Sequence, residues 1–518
     1  MSMEFSLALW LIAALPIVAL LFLMSYINMK SRNAALISLS LSILFATLVY
    51  QLNFNQLLIA SGKGAALSLY VILIIVGAVI LYNIVDISGG FEAIKHFIQS
   101  LGGNRALQFI GLSWAFAGFI QGVTGFGVPV AIVGALLIGI GYKPLPSIMA
   151  LMVGHSWAVS FGSMGSSFFA LQLVTGLEAV KLGMTLAILF YIPILVTGLS
   201  VAHIYGGFKE VKRNFKYIFP MSIIMWAGQF IAAAGDFAHI GALLGGTLGS
   251  IYFMAILIKR SDLSIKDILG YENGGMNIKT ALFPYIVLIG SVLLFQIPFI
   301  NNSLPDINLT FSFPGFTTGL GYLVEAEESF SPIALFGHPI FFLIISSLSG
   351  GLLYYIKGHL SFAGIKKIFK RSYDKASSSA TTVFLLMVMA LILNNSGMIF
   401  NFAQGMAQVG RLMFPIVSPL IGVLGAFLTG SNTSSNVLFG AFQINTAELL
   451  DFSPEIIAST QSIGGSIGSA IAPAKILLGT SVVGITGKEG DIIKRCITYT
   501  LISGVLVGVA ALIAMTLF

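Results

Sequence analysis

The chain has 518 residues, of which 57% are hydrophobic and 9% are charged, and its formal net charge is +7. A soluble domain carries about 25% charged residues, so this composition excludes a soluble globular protein and indicates a polytopic protein of the cell membrane. The lipid bilayer is therefore its first expected partner, and the excess of Lys and Arg reports membrane orientation rather than nucleic-acid binding. The single cysteine, Cys496, excludes an intrachain disulfide and a cysteine-based metal cluster.

Apolar runs long enough to cross a bilayer, about 20 residues each, recur along the chain. The uninterrupted runs lie near 5–29, 34–51, 65–88, 179–204, 217–235, 238–258, 281–300, 337–356, 379–396 and 496–517. Four further runs are broken by Gly, Ser, Asn or Pro, and they span 107–141, 146–177, 411–447 and 456–486. The predicted fold is an all-α polytopic membrane protein.

The distribution of charge orients these runs. Lys and Arg concentrate around 30–32, 95–105, 143, 209–216, 259–279, 357–375 and 488–495. The loops 301–336 and 447–455 hold acidic residues and no bases. By the positive-inside bias, the basic segments are cytoplasmic and the two acidic loops are external. Threading the chain through these constraints predicts about twelve crossings, both termini outside, and two re-entrant hairpins that enter from opposite sides.

The two halves of the chain repeat one order of elements. In each half a hairpin, 107–141 or 411–447, is followed by a Gly- and Ser-rich broken helix. Opposed hairpins followed by broken helices are typical of an inverted repeat with the substrate site near the bilayer midplane. The predicted repeats are 1–260 and 281–518, and a cytoplasmic linker, 261–280, joins them.

The tip of the second hairpin, within LTGSNTSSNVLFGAFQ (428–443), holds six consecutive polar residues between apolar runs. Non-helical backbone at membrane depth must be buried in protein or face a watery cavity. Hydroxyls, amides and free backbone N–H groups at helix termini suit a carboxylate, so we expect substrate binding here. The alternative is that the cluster only holds helices together. The predicted contacts are Ser431, Asn432, Thr433, Ser434, Ser435 and Asn436.

The other interrupted runs supply further candidates. Gly125 and Gly127 in GFGVP let a second backbone approach closely. Lys475 lies 13 residues before Lys488, or about 20 Å along a helix, near mid-membrane, where an ammonium is costly and tends to be functional. A snorkelling lysine is the alternative.

The broken helices also hold candidates. His155, beside Ser156, lies at a similar depth and could instead be a packing histidine; Ser466 belongs to the second broken helix. No Asp or Glu lies clearly at mid-membrane, so only His155 and Lys475 could titrate at the site.

Three segments resemble the L-lactate permease family of secondary transporters. They are FAGFIQGVTGFGVPVAIVGALLIGIGYKPL (116–145), FLTGSNTSSNVLFGAFQ (427–443) and SIGGSIGSAIAPAKI with VGITGKEGD (462–491). The resemblance implies import of lactate, glycolate and related 2-hydroxy monocarboxylates with protons. It also implies an elevator-like inverted repeat whose Ser431-Asn432-Thr433 tip binds the carboxylate.

The chain departs from the family pattern at three places. Family members commonly carry Glu at Gln121 and Asp at Asn432, and they read Ser-Pro-Gln-Ser where this chain has Ala472–Lys475. The candidate site, which thereby includes Gln121, has two acids fewer and one base more than the family pattern.

Three function classes are considered. The first is a secondary transporter that imports a small 2-hydroxy monocarboxylate together with a proton. The second is an uncoupled anion facilitator or channel, or a transporter of another small organic anion. The third, an intramembrane enzyme, is disfavoured because the sequence shows no His/Asp/Glu cluster with metal spacing and no Ser/His/Asp set at one depth. We predict no catalytic residue, no metal, no cofactor and no nucleic-acid partner; the oligomeric state is open.

Overall fold

A computed structural model describes residues 6–27, 29–100, 104–125, 127–259, 272–273, 275–408 and 410–517. The first half of the chain forms α1 (Leu7–Ser25), α2 (Ser31–Leu48), α3 (Phe54–Ile87), α4 (Gly90–Ser100), α5 (Arg105–Gly111), α6 (Ala117–Val123), α7 (Val128–Gly139), α8 (Pro144–Gly154), α9 (Gly162–Thr175), α10 (Ala179–Ala234) and α11 (Gly241–Ile258). A π-helical turn, Leu112–Phe116, joins α5 to α6, and 3₁₀ turns cover Ser156–Ala158 and Ala238–Ile240.

The second half is also mainly helical. It forms α12 (Ile278–Phe295), α13 (Pro298–Asn301), α14 (Pro339–Ile356), α15 (Phe362–Asn395), α16 (Met398–Ala407), α17 (Phe414–Thr429), α18 (Asn432–Leu449), α19 (Pro454–Gly468), α20 (Pro473–Val482) and α21 (Glu489–Leu517). The 3₁₀ turns here are Arg411–Met413 and Ser469–Ile471, and six short strands are β1 (Glu272–Asn273), β2 (Met276–Asn277), β3 (Asn308–Phe313), β4 (Phe316–Thr317), β5 (Leu323–Val324) and β6 (Glu327–Ala334).

The prediction of a polytopic helical membrane protein is confirmed. In the described ranges, twelve helices are long and apolar enough to cross a membrane, or up to thirteen when a bent pair, Pro144–Ala158 with Gly162–Thr175, is counted as one span. The twelve include the first arm of each predicted hairpin, Arg105–Val123 and Arg411–Thr429. The sides of the membrane, the inverted orientation of the repeats and the positions of the termini stay predictions.

Helix α10 covers two predicted spans, 179–204 and 217–235. Its 56 residues would extend about 84 Å as one helix, which far exceeds the bilayer. The helix is broken at Gly206 and Gly207, and Gly207 has a left-handed φ of 73° that favours glycine. The two arms therefore correspond to the two spans predicted from hydropathy.

Two helices begin earlier than hydropathy indicates. Helix α3 begins at Phe54 rather than near 65, because Asn53 caps it: the Asn53 side chain accepts from Gln56 N–H, and the Gln56 side chain accepts from Asn53 N–H. Helix α15 begins at Phe362 rather than near 379, and the Ser361 hydroxyl caps it. Hydropathy detects only the apolar part of a helix, so the polar extensions were not predicted.

The acidic loop 301–336 contains strands that the sequence analysis did not predict. Strands β3 and β6 pair antiparallel, as do β4 and β5. The β3–β6 hairpin rests on α3, where Lys63 Nζ lies 2.8 Å from Glu327 Oε1 and Gly62 lies against the Phe313 ring. Lys63 is buried, so its ion pair ties the loop to the membrane helices.

The predicted linker 261–280 lies mostly outside the described residues; within it, β1 pairs antiparallel with β2 and α12 begins at Ile278.

The helices pack around two apolar cores, and each core draws on both halves of the chain. One includes Trp114 and Ile463, and the other includes Val71 and Phe442. The division into repeats 1–260 and 281–518 stays a prediction.

Candidate functional site

The second predicted hairpin is formed by α17 and α18, joined at Gly430 and Ser431. Gly430 ends α17 with a left-handed φ of 72°, which a glycine adopts without strain. Ser431 is the N-cap of α18, and its hydroxyl accepts from Ser434 N–H at 3.3 Å. The polar tip is therefore a helix C-terminus meeting a helix N-terminus, and the first N–H groups of α18 have no intrahelical acceptor.

The first predicted hairpin turns between α6 and α7. Gly125 and Gly127 both have positive φ, at 58° and 79°, and Pro129 lies in the first turn of α7. A side chain at Gly125 would lie 1.7 Å from Ser163 Oγ, so only glycine fits there. Phe126, between the two glycines, lies outside the described residues.

The first broken helix bends by 54° between Pro144–Ala158 and Gly162–Thr175. Within the second piece, Ser163 and Met164 adopt left-handed φ values of 50° and 52°. Such a conformation costs about 1–3 kcal/mol per non-glycine residue and persists only where the surrounding structure imposes it. The strain lies next to Gly125, where the first hairpin tip meets the broken helix.

The second broken helix is interrupted with less bending than the first. Helix α19 passes through the turn Ser469–Ile471 into an extended residue, Ala472, before α20 begins at Pro473. A proline lacks an N–H and disfavours the helical conformation in the residue before it, which explains the break at this position.

Ser160, at the first break, connects three elements. Its N–H donates to Ser466 Oγ at 3.2 Å, and its hydroxyl donates to the Ser462 carbonyl at 3.0 Å. The Asn432 side-chain amide donates to Ser160 Oγ at 3.0 Å. Ser466 in turn donates to the Ser156 carbonyl at 2.5 Å. The two broken helices and the second hairpin tip therefore meet at one buried serine.

A second set of contacts lies one turn further along α18. The Ser167 and Thr433 hydroxyls are 2.9 Å apart, and Asn436 Nδ2 donates to the Ser167 carbonyl at 2.9 Å. Asn436 Nδ2 also donates to Ser462 Oγ at 3.0 Å. All these side chains are buried. Because apolar helices surround the cluster, its polar groups must be satisfied by each other, by a ligand or by water in a cavity.

Several acceptor atoms in this region are buried and have no hydrogen-bond partner among the described residues. They are Asn432 Oδ1, Asn436 Oδ1, Gln121 Oε1 and His155 Nε2. A buried polar atom without a partner costs about 1–3 kcal/mol. Gly465 leaves the space beside one of them, since a side chain there would lie 1.9 Å from Asn432 Oδ1. Unpaired acceptors are suited to a ligand that brings a hydrogen-bond donor.

His155 follows α8 and is fully buried. Its Nδ1 lies 2.6 Å from the Leu151 carbonyl. A carbonyl only accepts, so Nδ1 carries the proton and Nε2 is left as the open acceptor. The neighbouring Ser156 hydroxyl donates to Val153 O and is satisfied within its own turn.

Lys475 lies in the first turn of α20 and is 9% exposed. It makes no ion pair or hydrogen bond through its ammonium within the described part of the chain, where no Asp or Glu is buried. The ammonium is within electrostatic reach of His155. A cation in the first helical turn also opposes the helix dipole, so an anion bound here would be stabilised by both.

A cavity of about 930 Å³ borders Lys475 and the second hairpin tip, including Ser431, Thr433 and Ser434. The structure thus brings most predicted site residues into one region. Ser435 differs from the other hairpin residues. Its hydroxyl donates to the Gly422 carbonyl and accepts from Gln461, so it connects α18 to α17 and α19. Gly127 contacts Leu478, one turn beyond Lys475.

The sequence analysis missed four serines that join these elements. They are Ser160, Ser163, Ser167 and Ser462. The signal was present in GHSWAVSFGSMGSS (154–167), where serine recurs in a membrane-depth segment. Ser160, Ser167 and Ser462 have partners 266 to 306 positions away, which the local pattern does not reveal. Ser163 lies against the nearer Gly125.

The apolar helices, with a buried polar cluster and the buried Lys475 among them, define a multi-pass membrane protein. A family model described as L-lactate permease matches residues 10–518, and the chain belongs to this family. It is a transport protein and not an enzyme.

Named relatives match over nearly the full length. The glycolate permease GlcA of Escherichia coli (strain K12) is 28% identical, with 98% of this chain and 96% of the relative covered. L-lactate permeases of Streptococcus iniae (27% identical; 88% and 94% covered) and Bacillus subtilis (26%; 95% and 93%) are also similar. Among solved structures, Neisseria gonorrhoeae MtrF, from a class of antimetabolite efflux pumps, has 14% identity and a TM-score of 0.47, with 85% of this chain and 80% of that chain covered.

Proposed function

We propose that the protein is a secondary transporter that imports a small 2-hydroxy monocarboxylate of the lactate or glycolate class. The observation that carries the proposal is that Lys475, whose ammonium has no ion pair among the described residues, borders the same cavity as the second hairpin tip. Asn432 and Asn436 on the same hairpin keep buried acceptor oxygens without hydrogen-bond partners. An ammonium suits a carboxylate, and an acceptor suits a hydroxyl donor. A 2-hydroxy acid carries both groups on adjacent carbons. The names of the relatives, which include lactate and glycolate permeases, support the same class.

The carboxylate would lie between Lys475 and the N-terminus of α18, whose free N–H groups favour a negative charge. The hydroxyl would donate to Asn432 Oδ1 or Asn436 Oδ1. Gln121 lies near the break of the first broken helix, against Gly162, with its Oε1 unpaired. Gln121 would form the side of the substrate site that faces the first hairpin. Gly125, the other predicted contact on this hairpin, would lie on the same side.

Proton coupling is assigned to His155. A proton on its Nε2 would place a second positive charge near Lys475, which is unfavourable in a low-dielectric site. A bound carboxylate offsets that cost, so the anion and the proton each favour binding of the other. This reciprocity is what symport requires. No buried Asp or Glu in the described ranges competes for the role.

A second candidate function is an uncoupled anion facilitator. The observation that favours it is the same absence of buried carboxylates, because Lys475 alone can neutralise the anion without a co-transported cation. In that case His155 stays neutral, and its hydrogen bond to Leu151 only positions the ring.

Uptake into proteoliposomes separates the candidates. Purified protein is reconstituted and uptake of labelled L-lactate is measured with and without an inside-alkaline pH gradient, with the membrane potential clamped. Symport predicts accumulation above equilibrium with the gradient, and a facilitator predicts equilibration only. His155→Gln should abolish the accumulation while equilibrative flux remains.

A competition panel tests the substrate class. Unlabelled glycolate and lactate should compete well, and propionate, which lacks the hydroxyl, should compete about 2- to 13-fold less well, since a neutral hydrogen bond contributes about 0.5–1.5 kcal/mol. Longer dicarboxylates and sulfonates should compete poorly. Equal competition by propionate and lactate would contradict the assignment of the hydroxyl to the asparagines.

A further inference from the structure

The cavity that borders the candidate site has an unusual distribution of charge. Its wall includes the hairpin tip and Lys475, and also three further cations, Lys30, Arg32 and Lys375. No acidic residue lines it among the described residues. Four positive side chains therefore border one space of about 930 Å³ whose described lining includes no carboxylate. Asp86, which interacts electrostatically with Lys375, lies outside this lining.

The basic residues of this wall differ from those elsewhere on the same side of the protein. Arg371 pairs with Asp86 at 3.3 Å, and Lys95 pairs with Glu92 at 2.7 Å. The three wall cations have no ion pair within 4.0 Å in the described part of the chain. Lys375 lies over the Tyr82 ring, 4.1 Å from its centroid, and also interacts electrostatically with Asp86.

Local structure increases this positive potential. Lys30 is the N-cap of α2 and Arg32 lies in its first turn, where no acid is present. A helix N-terminus carries about half a positive charge, so cations there are electrostatically unfavourable. An anion in the cavity would be attracted both to these two side chains and to the helix terminus.

Low-dielectric walls around charges of one sign focus the field and raise the local concentration of the opposite ion. By the charge bias used above, Lys30, Arg32 and Lys375 lie on the cytoplasmic side. The cavity is then a route between the cytoplasm and the second hairpin tip.

We propose that this cavity is an anion vestibule in which Lys30, Arg32 and Lys375 hold the carboxylate of the transported acid on its way between Lys475 and the cytoplasm. The proposal rests on the proposed function and adds a second, outer binding position to it. The chemistry recognised is a single small anionic group, which a lipid phosphate could also supply, and the test below separates these sources.

The experiment uses the triple variant Lys30→Gln, Arg32→Gln and Lys375→Gln in proteoliposomes of neutral phosphatidylcholine. Transport from the cytoplasmic face is measured against substrate concentration at low and high salt. The wild type should show a low KM at low salt that rises with salt, because screening shortens the reach of the field. The variant should show a KM about tenfold higher at low salt, no further rise with salt, and an unchanged Vmax.

A matched control comes from α15, the helix that also carries Lys375. Lys366, Lys367 and Lys370 carry the same charge on the same predicted side but do not line the cavity. Their triple Gln variant should keep the wild-type KM and its salt dependence. An equal loss in both triple variants would show a general surface-charge effect and overturn the vestibule.

Lipid composition separates the two sources of the anion. If the cavity binds the substrate carboxylate, the KM of the triple variant should exceed that of the wild type about tenfold in phosphatidylcholine vesicles. The same difference in KM should appear in vesicles that also contain phosphatidylglycerol. A difference that appears only with phosphatidylglycerol would assign the cluster to a lipid headgroup and overturn the proposal. A wild type that transports no 2-hydroxy acid would overturn the proposed function, whereas wild-type transport with an unaltered vestibule variant would overturn the vestibule alone.

Discussion

Replacement of Lys475 by Ala should almost abolish transport while leaving the protein folded. The ammonium is nearly buried and has no acidic partner in the described ranges, so its charge is available to a ligand. Two unit charges 4 Å apart interact by about 4 kcal/mol at an effective dielectric constant of 20, and a hydrogen bond to a charged group contributes about 1.5–3 kcal/mol. After desolvation we expect a loss of about 2–4 kcal/mol, which corresponds to a rise in Kd of about 30- to 1,000-fold.

The measurement combines substrate binding to purified protein with uptake into proteoliposomes. Lys475→Arg should recover only part of the activity, because a planar guanidinium cannot occupy the position of a compact ammonium. Lys488→Ala is the matched control, since Lys488 is 61% exposed and already faces Asp491 at 3.7 Å. It should retain wild-type binding.

Thermal stability gives an independent readout of the same residue. An unpaired buried ammonium destabilises the protein, so Lys475→Met should melt no lower than the wild type in the absence of substrate, and it should lose the stabilisation that substrate gives the wild type. If Lys475 were needed only for packing, Lys475→Met would melt below the wild type and would still be stabilised by substrate. Wild-type uptake kinetics in Lys475→Ala would refute the reasoning and leave Lys475 as a snorkelling lysine.

Three further predictions follow from the described contacts. Asn432→Ala should weaken substrate affinity about 5- to 150-fold, the equivalent of 1–3 kcal/mol, whereas Ser435→Ala on the same hairpin should lower thermal stability and leave affinity unchanged. Glu327→Gln should destabilise the protein by about 1–3 kcal/mol, because the buried Lys63 loses its ion pair. The loss is smaller than for a fully buried pair, because the Glu327 side chain is 43% exposed to solvent. Single cysteines at exposed positions should react with an impermeant reagent from outside or only after permeabilisation. The outside positions are Asn302 and Asp451, and the inside positions are Lys212 and Lys367.

Each of these has a clear contrary result. Equal affinity loss in the two hairpin variants would mean that they perturb the hairpin as a whole. A Glu328→Gln control that melts as low as Glu327→Gln would remove the role of the ion pair. Labelling of Asp451 only after permeabilisation would mean that the second hairpin does not exist as predicted. The native Cys496 is buried and can remain in these variants.

The sequence alone determined the class of protein and the elements that carry the site. Hydropathy locates membrane helices because every backbone polar group in lipid must be satisfied within a helix, so apolar length is a direct signal. The two glycines of the first hairpin, Gly125 and Gly127, are an equally local signal, and both have a positive φ in the structure. The prediction that Lys475 and Lys488 lie about 20 Å apart along one helix is wrong, because α20 ends at Val482 and turns follow before Lys488.

Tertiary structure decided which polar residues meet. Ser160 and Asn432 are 272 positions apart, and Ser160 and Ser466 are 306 apart, so no local pattern links them. The same applies to Lys63 with its partner on the external hairpin. Ser435 shows the converse: it belongs to the same polar run as Asn432, yet packing against α17 and α19 turns it away from the cluster. A helix presents its residues to several neighbours, and only the packing determines which neighbour each side chain contacts.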